Sequence, residues 1–362
     1  MEGRHATRGG WLVLPLLALS LASCVAATPG TLAGTPTPAS LAVLAPTPTP
    51  TAGTFPFRVG ITQLPQVAGY LLPYWVGIDG GVFPREGLAV TLVPLPSEQL
   101  AMSAVANGHV DVVVAPPSLP LLASAALVGN VVILGGTHNA FDQRLITAAD
   151  ITTAAELVGK AAIINAKGSL NDFQTREALR RVGIDPETQL AGYWVGPNQA
   201  ERIQHLKLGN GQAIVLPPPL STIIAKEGYT DFGDLSEGPP WPGAAIWTTR
   251  ASYTSRYPYM ERFIRGLFAS IARTKHDPDF ARELLKRYTQ LDDPDGLAEA
   301  YAVYGDRLLE RVPRLSVEGL QRAIDFAAQA RPGVALPRAE TLVDHSLVDR
   351  VAASDLLEQL YR

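Results

Sequence analysis

One cysteine, Cys24, is the only thiol in the chain, so no internal disulfide can form and stability has to come from packing. Six histidines include no pair at i and i+4, which removes the usual helix-borne metal site. There is no H-E-x-x-H, no G-x-S-x-G elbow, no Walker A loop and no G-x-G-x-x-G. Gly209-Asn210-Gly211 is too short for a phosphate loop and follows a helix. Asp292, Asp293 and Asp295 around Pro294 read as a solvated turn rather than a cation site. No catalytic residue, metal or cofactor is therefore expected. Excess basic charge is missing too: 30 Lys and Arg against 34 Asp and Glu argue against nucleic acid as a partner and against a polybasic membrane patch. Beyond the N-terminus no apolar stretch is long enough to span a bilayer. What remains, 362 residues with 47% hydrophobic and 18% charged side chains, suffices for one medium-sized body with a substantial core.

The N-terminus carries its own pattern. Arg4 and Arg8 precede an apolar run from Trp11 to Leu21, well short of the about 20 residues a spanning helix needs. This is the layout of a secretory signal peptide, residues 1–23. Leu21-Ala22-Ser23-Cys24 resembles the bacterial lipobox, which implies a diacylglycerol thioether on Cys24 and cleavage before it. Loss of Glu2, Arg4 and Arg8 takes the formal charge from −4 to −5. Residues 24–55 then alternate threonine with proline and contain no charged residue. Proline fixes φ and removes a donor, so the stretch is expected to be an extended, disordered tether reaching up to ~90 Å.

From Pro56 onward the pattern is α/β. Strands are expected at 57–62, 88–95, 110–115 and 131–134, with helices at 97–107 and 118–128. Ser97 and Ser118 are placed as N-caps, and Asn107-Gly108 as a stop. Val110 to Ala115 is rich in β-branched residues, suited to a strand covered on both faces. The same alternation repeats with strands at 160–165, 193–195 and 213–216 and helices from Ser169 and Asn198. Ser169 with Asp172 makes a capping-box spacing, and Gly183 ends that helix. Beyond Tyr257 the pattern is mostly helical. Such alternation means parallel sheets with helical layers.

Several segments, taken in order, resemble one family. Phe57-Arg58-Val59-Gly60-Ile61 is followed by Gly80-Gly81-Val82-Phe83-Pro84-Arg85-Glu86-Gly87-Leu88, then Ala106-Asn107-Gly108-His109-Val110-Asp111. Glu156-Leu157-Val158-Gly159-Lys160, Gly168-Ser169 and Val182-Gly183-Ile184-Asp185-Pro186 come after them. The chain from Phe57 to about Tyr288 thereby resembles the solute-binding lipoproteins of ABC importers in the nitrate/sulfonate/taurine and thiamine-pyrimidine-precursor (NMT1/THI5-like) group. The resemblance implies a type II periplasmic-binding-protein fold: two α/β lobes joined by two crossing segments, with a helical C-terminal region. Lobe one is expected at 56–146 plus 245–362 and lobe two at 147–244, with crossings near Arg144–Thr147 and Ala244–Trp247. It further implies an extracytoplasmic, lipid-anchored monomer that captures a small molecule and hands it to an ABC permease and ATPase. An extracytoplasmic enzyme of the same architecture acting on a pyrimidine-like precursor, and a ligand-sensing lipoprotein, stay open.

In open α/β sheets ligands bind beyond the carboxyl ends of the strands. That rule selects Gln63 and Leu64 after the first strand, Ser118 after the third, and His138 and Asn139 after the fourth. In lobe two it selects Gly168 and Ser169, with Pro217 opposite. Trp241, near the second crossing, is a candidate stacking platform. Lys167 beside a helix N-terminus would suit a sulfonate or carboxylate, whereas Trp241 with Gln63 and Asn139 would suit a planar heterocycle. No cluster of arginines marks the strand ends, so a neutral or weakly anionic organic solute is expected.

Overall fold

In the computed structural model, residues 53–63 and 69–362 are described; Cys24, the tether up to residue 52 and Leu64 lie outside the described residues. The chain forms two five-stranded sheets with the same plan. In the first, β1 (Phe55–Ile61) runs parallel to β2 (Leu88–Pro94) and β3 (Val112–Ala115), β4 (Val131–Gly136) forms one edge, and, with β10 (Ala245–Thr249), the order is β2-β1-β3-β10-β4. In the second, β6 (Ala161–Ile164) runs parallel to β7 (Gly192–Val195) and β8 (Ala213–Leu216). Its order is β7-β6-β8-β5-β9, with β5 (Arg144–Thr147) antiparallel to β8 and to the short β9 (Thr230–Asp231). β10 (Ala245–Thr249) likewise enters the first sheet antiparallel, between β3 and β4. Each passage between the halves thus delivers one antiparallel strand.

The crossings themselves are residues 137–143 and 232–244. They fall earlier than the sequence suggested, because Arg144–Thr147 pairs with Ala213–Leu216 along its whole length and is a strand of the second sheet. Apolar runs in the strands split between the two faces of each sheet. Val112 and Val114 join the cluster under helices Leu72–Asp79, Tyr257–His276 and Pro278–Thr289, while Val113 and Ala115 join the cluster under Ala101–Ala106, Leu119–Val128 and Val317–Ala330. Ala213 and Val215 face one side of the second sheet and Ile214 and Leu216 the other. Burial on both faces is why these strands contain no polar alternation.

Expected caps form where a side chain is free to turn back. Ser118 accepts from the Leu121 amide, Ser169 from Asp172 and Asn198 from Glu201, and Gly183 takes the positive φ that ends the helix before it. Ser97 makes no cap bond. Its helix opens with a 3-10 turn at Glu98–Leu100 before Ala101–Ala106, and the Glu98 side chain reaches Ser118 instead. One buried ionic node ties the first sheet together. The fully buried Asp111 carboxylate accepts from the Arg58 amide at 2.6 Å and from the Arg256 guanidinium, while the Thr248 hydroxyl donates to the Asp111 carbonyl at 3.0 Å. It therefore links β1, β3 and β10 to the helical layer. Asp111→Ala strands the Arg58 amide and the Arg256 guanidinium and is expected to cost about 2–3 kcal/mol, a cost checked by urea unfolding of the two proteins.

Candidate functional site

The two crossings run side by side. The Thr137 amide donates to the Ala244 carbonyl (3.3 Å), Gly243 to His138 (3.1 Å) and Trp241 to Asn139 (2.9 Å). Only glycine fits at 243, since a Cβ there would lie 2.3 Å from the His138 carbonyl oxygen. A third segment, 310–316, is strapped to them. Asn139 Nδ2 donates to Glu310 at 2.9 Å and to the Arg314 carbonyl at 2.7 Å, and its Oδ1 accepts from the Ser316 amide at 2.5 Å. Asn139 thus spends its side-chain amide on holding the junction.

The carboxyl ends of β1, β3 and β4 meet beside this junction. Tyr70, Thr137, His138, Tyr304, Leu308 and Leu309 enclose a slit closed to less than the width of a water molecule, and an adjoining space around Asp142, Arg144, Asp234 and Arg307 admits about one. The Tyr304 hydroxyl donates to Asp142 Oδ2 at 3.0 Å, and His138 Nε2 stands 3.7 Å from the same oxygen. Ser118 donates to Glu98 at 2.6 Å while its oxygen caps the helix behind it. Two polar groups here are left over: the Tyr70 hydroxyl and Thr62 Oγ1 are buried and have no hydrogen-bond partner. Burial drives the Tyr70 phenol upward, with Glu98 and Asp142 adding to the shift, and Tyr304 rises for the same reasons with Asp142 beside it. Burial also raises the Glu98 carboxyl, partly offset by the Ser118 hydrogen bond.

The second half closes on this face. Gly168, at φ +77°, sits under helix Val317–Ala330, where an added Cβ would come within 2.8 Å of the Ala330 methyl and 3.9 Å of Leu119, the residue after Ser118. Asn165 accepts a short hydrogen bond from the Ser169 hydroxyl, and its amide donates to Asn171 at 3.1 Å. Ion pairs cross between the halves: Arg144 with Glu299 (3.0 Å), Arg307 with Asp234 (2.9 Å), Arg322 with the buried Glu177 (2.8 Å), and Lys226 with Asp293 (2.8 Å). The acidic turn at 292–295 is thus used by the protein itself, Asp293 also capping helix Pro294–Tyr301.

Gly168 faces Ala330 and Leu119, the residue after Ser118; Ser169 follows it as a helix cap, and His138 lines the slit. Gln63 is half-buried, next to Thr62, with no side-chain hydrogen bond among the described residues. Pro217 directly follows β8 and precedes a cis Pro218-Pro219 bond. Trp241 does not join them. It is 1% exposed, its ring edge-on to Phe141 at 4.8 Å and 4.6 Å from Phe173, so its faces are occupied by the protein's own side chains. Sequence reading missed Tyr70, Glu98, Asp142 and Tyr304. Glu98 stands just past the carboxyl end of β2 and the strand-tip rule would have found it. Tyr304, 162 residues from its partner Asp142, leaves no local trace.

Two sheets of one plan, exchanging antiparallel strands and meeting at their strand tips, define a periplasmic-binding architecture, and the chain has that fold. Residues 68–190 match the family model described as NMT1/THI5 like. The alkanesulfonate-binding protein SsuA from Xanthomonas axonopodis pv. citri, solved bound to MOPS, is similar at TM-score 0.60 and 16% identity, over 81% of this chain and 100% of that one. The periplasmic aliphatic sulphonate binding protein SsuA from Escherichia coli gives 0.59 and 18%, over 81% and 99%. The periplasmic nitrate-binding protein NrtA from Synechocystis PCC 6803 gives 0.60 and 11%, over 85% and 91%. No curated protein matches the chain in sequence. At these identities the likeness establishes the fold.

His138 supplies a pH test of the junction. Burial holds its imidazole below the ordinary value of 6.5, with Asp142 opposing in part. The unfolded chain therefore takes the proton first. The stability carried by neutral His138 is complete above pH 6.5 and is lost as pH falls from there toward the folded value. His345, lowered by burial, acts in the same direction, while raised Glu98 and Glu310 act oppositely. Between pH 7 and 5, the loss of stability is expected to be smaller in His138→Gln than in wild type, measured by denaturant unfolding at each pH.

Proposed function

We propose that this chain is the extracytoplasmic substrate-binding lipoprotein of an ABC importer, taking up a small organic solute between two hinged lobes and presenting the closed form to a permease. The observation that carries this reading is the seam itself: strand tips meet beside a narrow double crossing, and Tyr70, which lines the slit there, keeps a buried hydroxyl without a partner. A buried polar group without a partner costs free energy, so it is tolerated where a ligand completes it. The crossings join the halves through two short backbone segments, the arrangement that permits rigid-body opening. The ion pairs between the halves, mostly half-exposed, contribute weakly and favour the shut form without locking it. Ligand free energy then biases closure, and a permease can read the shape.

Ser118, His138, Gly168 and Ser169, with Gln63 and Pro217 at the rim, are the contacts this reading assigns; Leu64 is carried over from the sequence alone. Asn139 and Trp241 are assigned to supporting the junction. The lobes divide at the crossings, 137–143 and 232–244. A lipid on Cys24 and the Thr/Pro-rich tether would keep the binder near its permease at high effective concentration.

Two outcomes follow. Purified protein lacking residues 1–52 is expected to bind one small organic compound as a monomer and to shrink in radius of gyration, checked by small-angle scattering across sulfonates, nitrate, taurine, pyrimidines and aromatic carboxylates. Turnover of a member without compaction would instead mark an enzyme. Cys24→Ser in the full chain is expected to abolish lipid labelling and move the protein from the membrane fraction to the soluble fraction.

A further inference from the structure

A cation without a counter-charge sits at the outer edge of the second sheet. Among the described residues two arginines are buried, Arg176 at 7% exposed and Arg202 at 8%. Arg176 is met by Asp172 and by Glu187, each at 2.7 Å. The Arg202 side chain is met by no carboxylate and no carbonyl among the described residues, and its Nε is buried without a partner. Every side-chain carboxylate of the chain except that of Glu2 belongs to a described residue, so the missing acid is not supplied from elsewhere in the molecule. Burial alone draws the guanidinium below its ordinary value, to about 10.

The turn that leaves β7 sets where this charge points. The Gly196 amide donates to the Ile164 carbonyl at 2.9 Å, extending the pairing with β6, and Asn198 caps helix Gln199–Lys207 by accepting from the Glu201 amide at 2.9 Å. Gly196 leaves a slot that Arg202 fills: a Cβ there would lie 2.9 Å from the Arg202 amide nitrogen and 3.0 Å from its Cγ. Helical side chains lean toward the N-terminus and lie over the preceding turn. From the fourth helical position the Arg202 guanidinium is thus aimed at the opening turn, where the Gln199 and Ala200 amides have no acceptor among the described residues. The carboxylate of Glu201, the acid nearest in sequence, is held by Asn198 Nδ2 at 2.6 Å. Pro197, Asn198 and Ala200 are exposed, which leaves the turn open to solvent.

A buried charge with no partner is costly. A fork of guanidinium N–H groups beside free amides at the positive end of a helix is chemistry that holds an oxyanion. We propose that Arg202 and the Gln199 and Ala200 amides bind a small tetrahedral oxyanion of the phosphate or sulfate type. Its occupant is distinct from the transported solute. β7 is the edge strand, three strand spacings or roughly 14 Å from β5, and no residue that lines the slit comes from β7 or the helix after it. The inference goes beyond the solute-binding reading and does not depend on it. The anion neutralises the guanidinium and fastens the start of the helix, so it stabilises the second half with or without a solute.

The test follows the melting of the purified full chain in mild detergent as sodium phosphate or sodium sulfate is added, with sodium chloride holding the ionic strength constant. Each is expected to raise the melting temperature saturably, by about 2 °C at ten times its dissociation constant. Arg202→Met keeps a stem against Gly196 and removes the charge. It should melt at or above wild type without phosphate or sulfate and show no saturable shift with either. Arg202→Lys keeps the charge but loses the fork, and calorimetry should find it about tenfold weaker for phosphate. Lys167→Met, which removes an exposed cation of the same half, and Tyr70→Phe, in the slit, should shift as wild type does. No saturable shift with either anion, an equal shift in Arg202→Met, or loss of the shift in Tyr70→Phe overturns the proposal. If Arg202→Met melts too low to compare, Arg202→Lys decides, and an unchanged phosphate affinity there overturns it.

Discussion

The structure depends on three stretches of backbone laid against one another where the halves join. Thr137, His138 and Asn139 pair through their main chains with Ala244, Gly243 and Trp241, and the Asn139 amide reaches over to fasten residues 310–316. Backbone groups buried at a junction must be paired, and here each segment supplies partners for the next. The absence of a side chain at Gly243 is what lets two of these segments approach closely enough to bond. Everything else about the site, including which strand tips face one another and which side chains enclose the slit, follows from where this bundle holds the two sheets.

The consequence is that two buried hydroxyls without a hydrogen-bond partner, on Tyr70 and Thr62, lie at the seam; among the described residues Tyr74, Trp75, Arg202, Ser221, Tyr257 and Tyr361 also carry such atoms. Across most of the described chain, buried polar side chains are spoken for: Asp111 by Arg58 and Arg256, Glu177 by Arg181 and Arg322, Asp172 by Arg176. Tyr70 and Thr62 keep unmatched hydroxyls, and the Glu98 carboxyl is pushed up by burial next to a single hydroxyl donor. A core under selection for stability alone would replace such groups with apolar ones of the same shape. Their retention where the strand tips converge is the physical basis of the functional reading.

Much of the architecture was legible in the chain because local chemistry and tertiary need agree. The β-branched run before Ala115 had to be a doubly covered strand, and Ser118, Ser169 and Asn198 could act as caps wherever their helices ended up. Legibility failed where burial was complete. Helix Leu72–Asp79 is apolar nearly all round and begins next to Pro73, so it shows no stripe from which a 3.6-residue period could be read. The family resemblance placed a crossing near Arg144–Thr147, yet that segment pairs along its whole length with Ala213–Leu216, and Arg144 is held by Asp231 and Glu299. Trp241 looked like a ligand platform because aromatic residues near a cleft suit that task, but Phe141 and Phe173 had already claimed its surfaces.

Sequence alone determined the alternation of strands and helices, the repeat of one α/β plan, the lone N-terminal thiol with its proline-rich follower, and the lack of catalytic and metal motifs. Those properties are written in periods of two and 3.6 residues, in caps and in composition, all of them local. Tertiary structure decided that Tyr304 meets Asp142 and Ser118 meets Glu98, that Asn139 serves the junction, and that the arginines near the seam are neutralised by carboxylates. Glu299 lies 155 residues from Arg144, and Tyr304 lies 162 from Asp142. Such pairs exist only because packing the two sheets against their hinge brings distant stretches of chain within hydrogen-bonding distance.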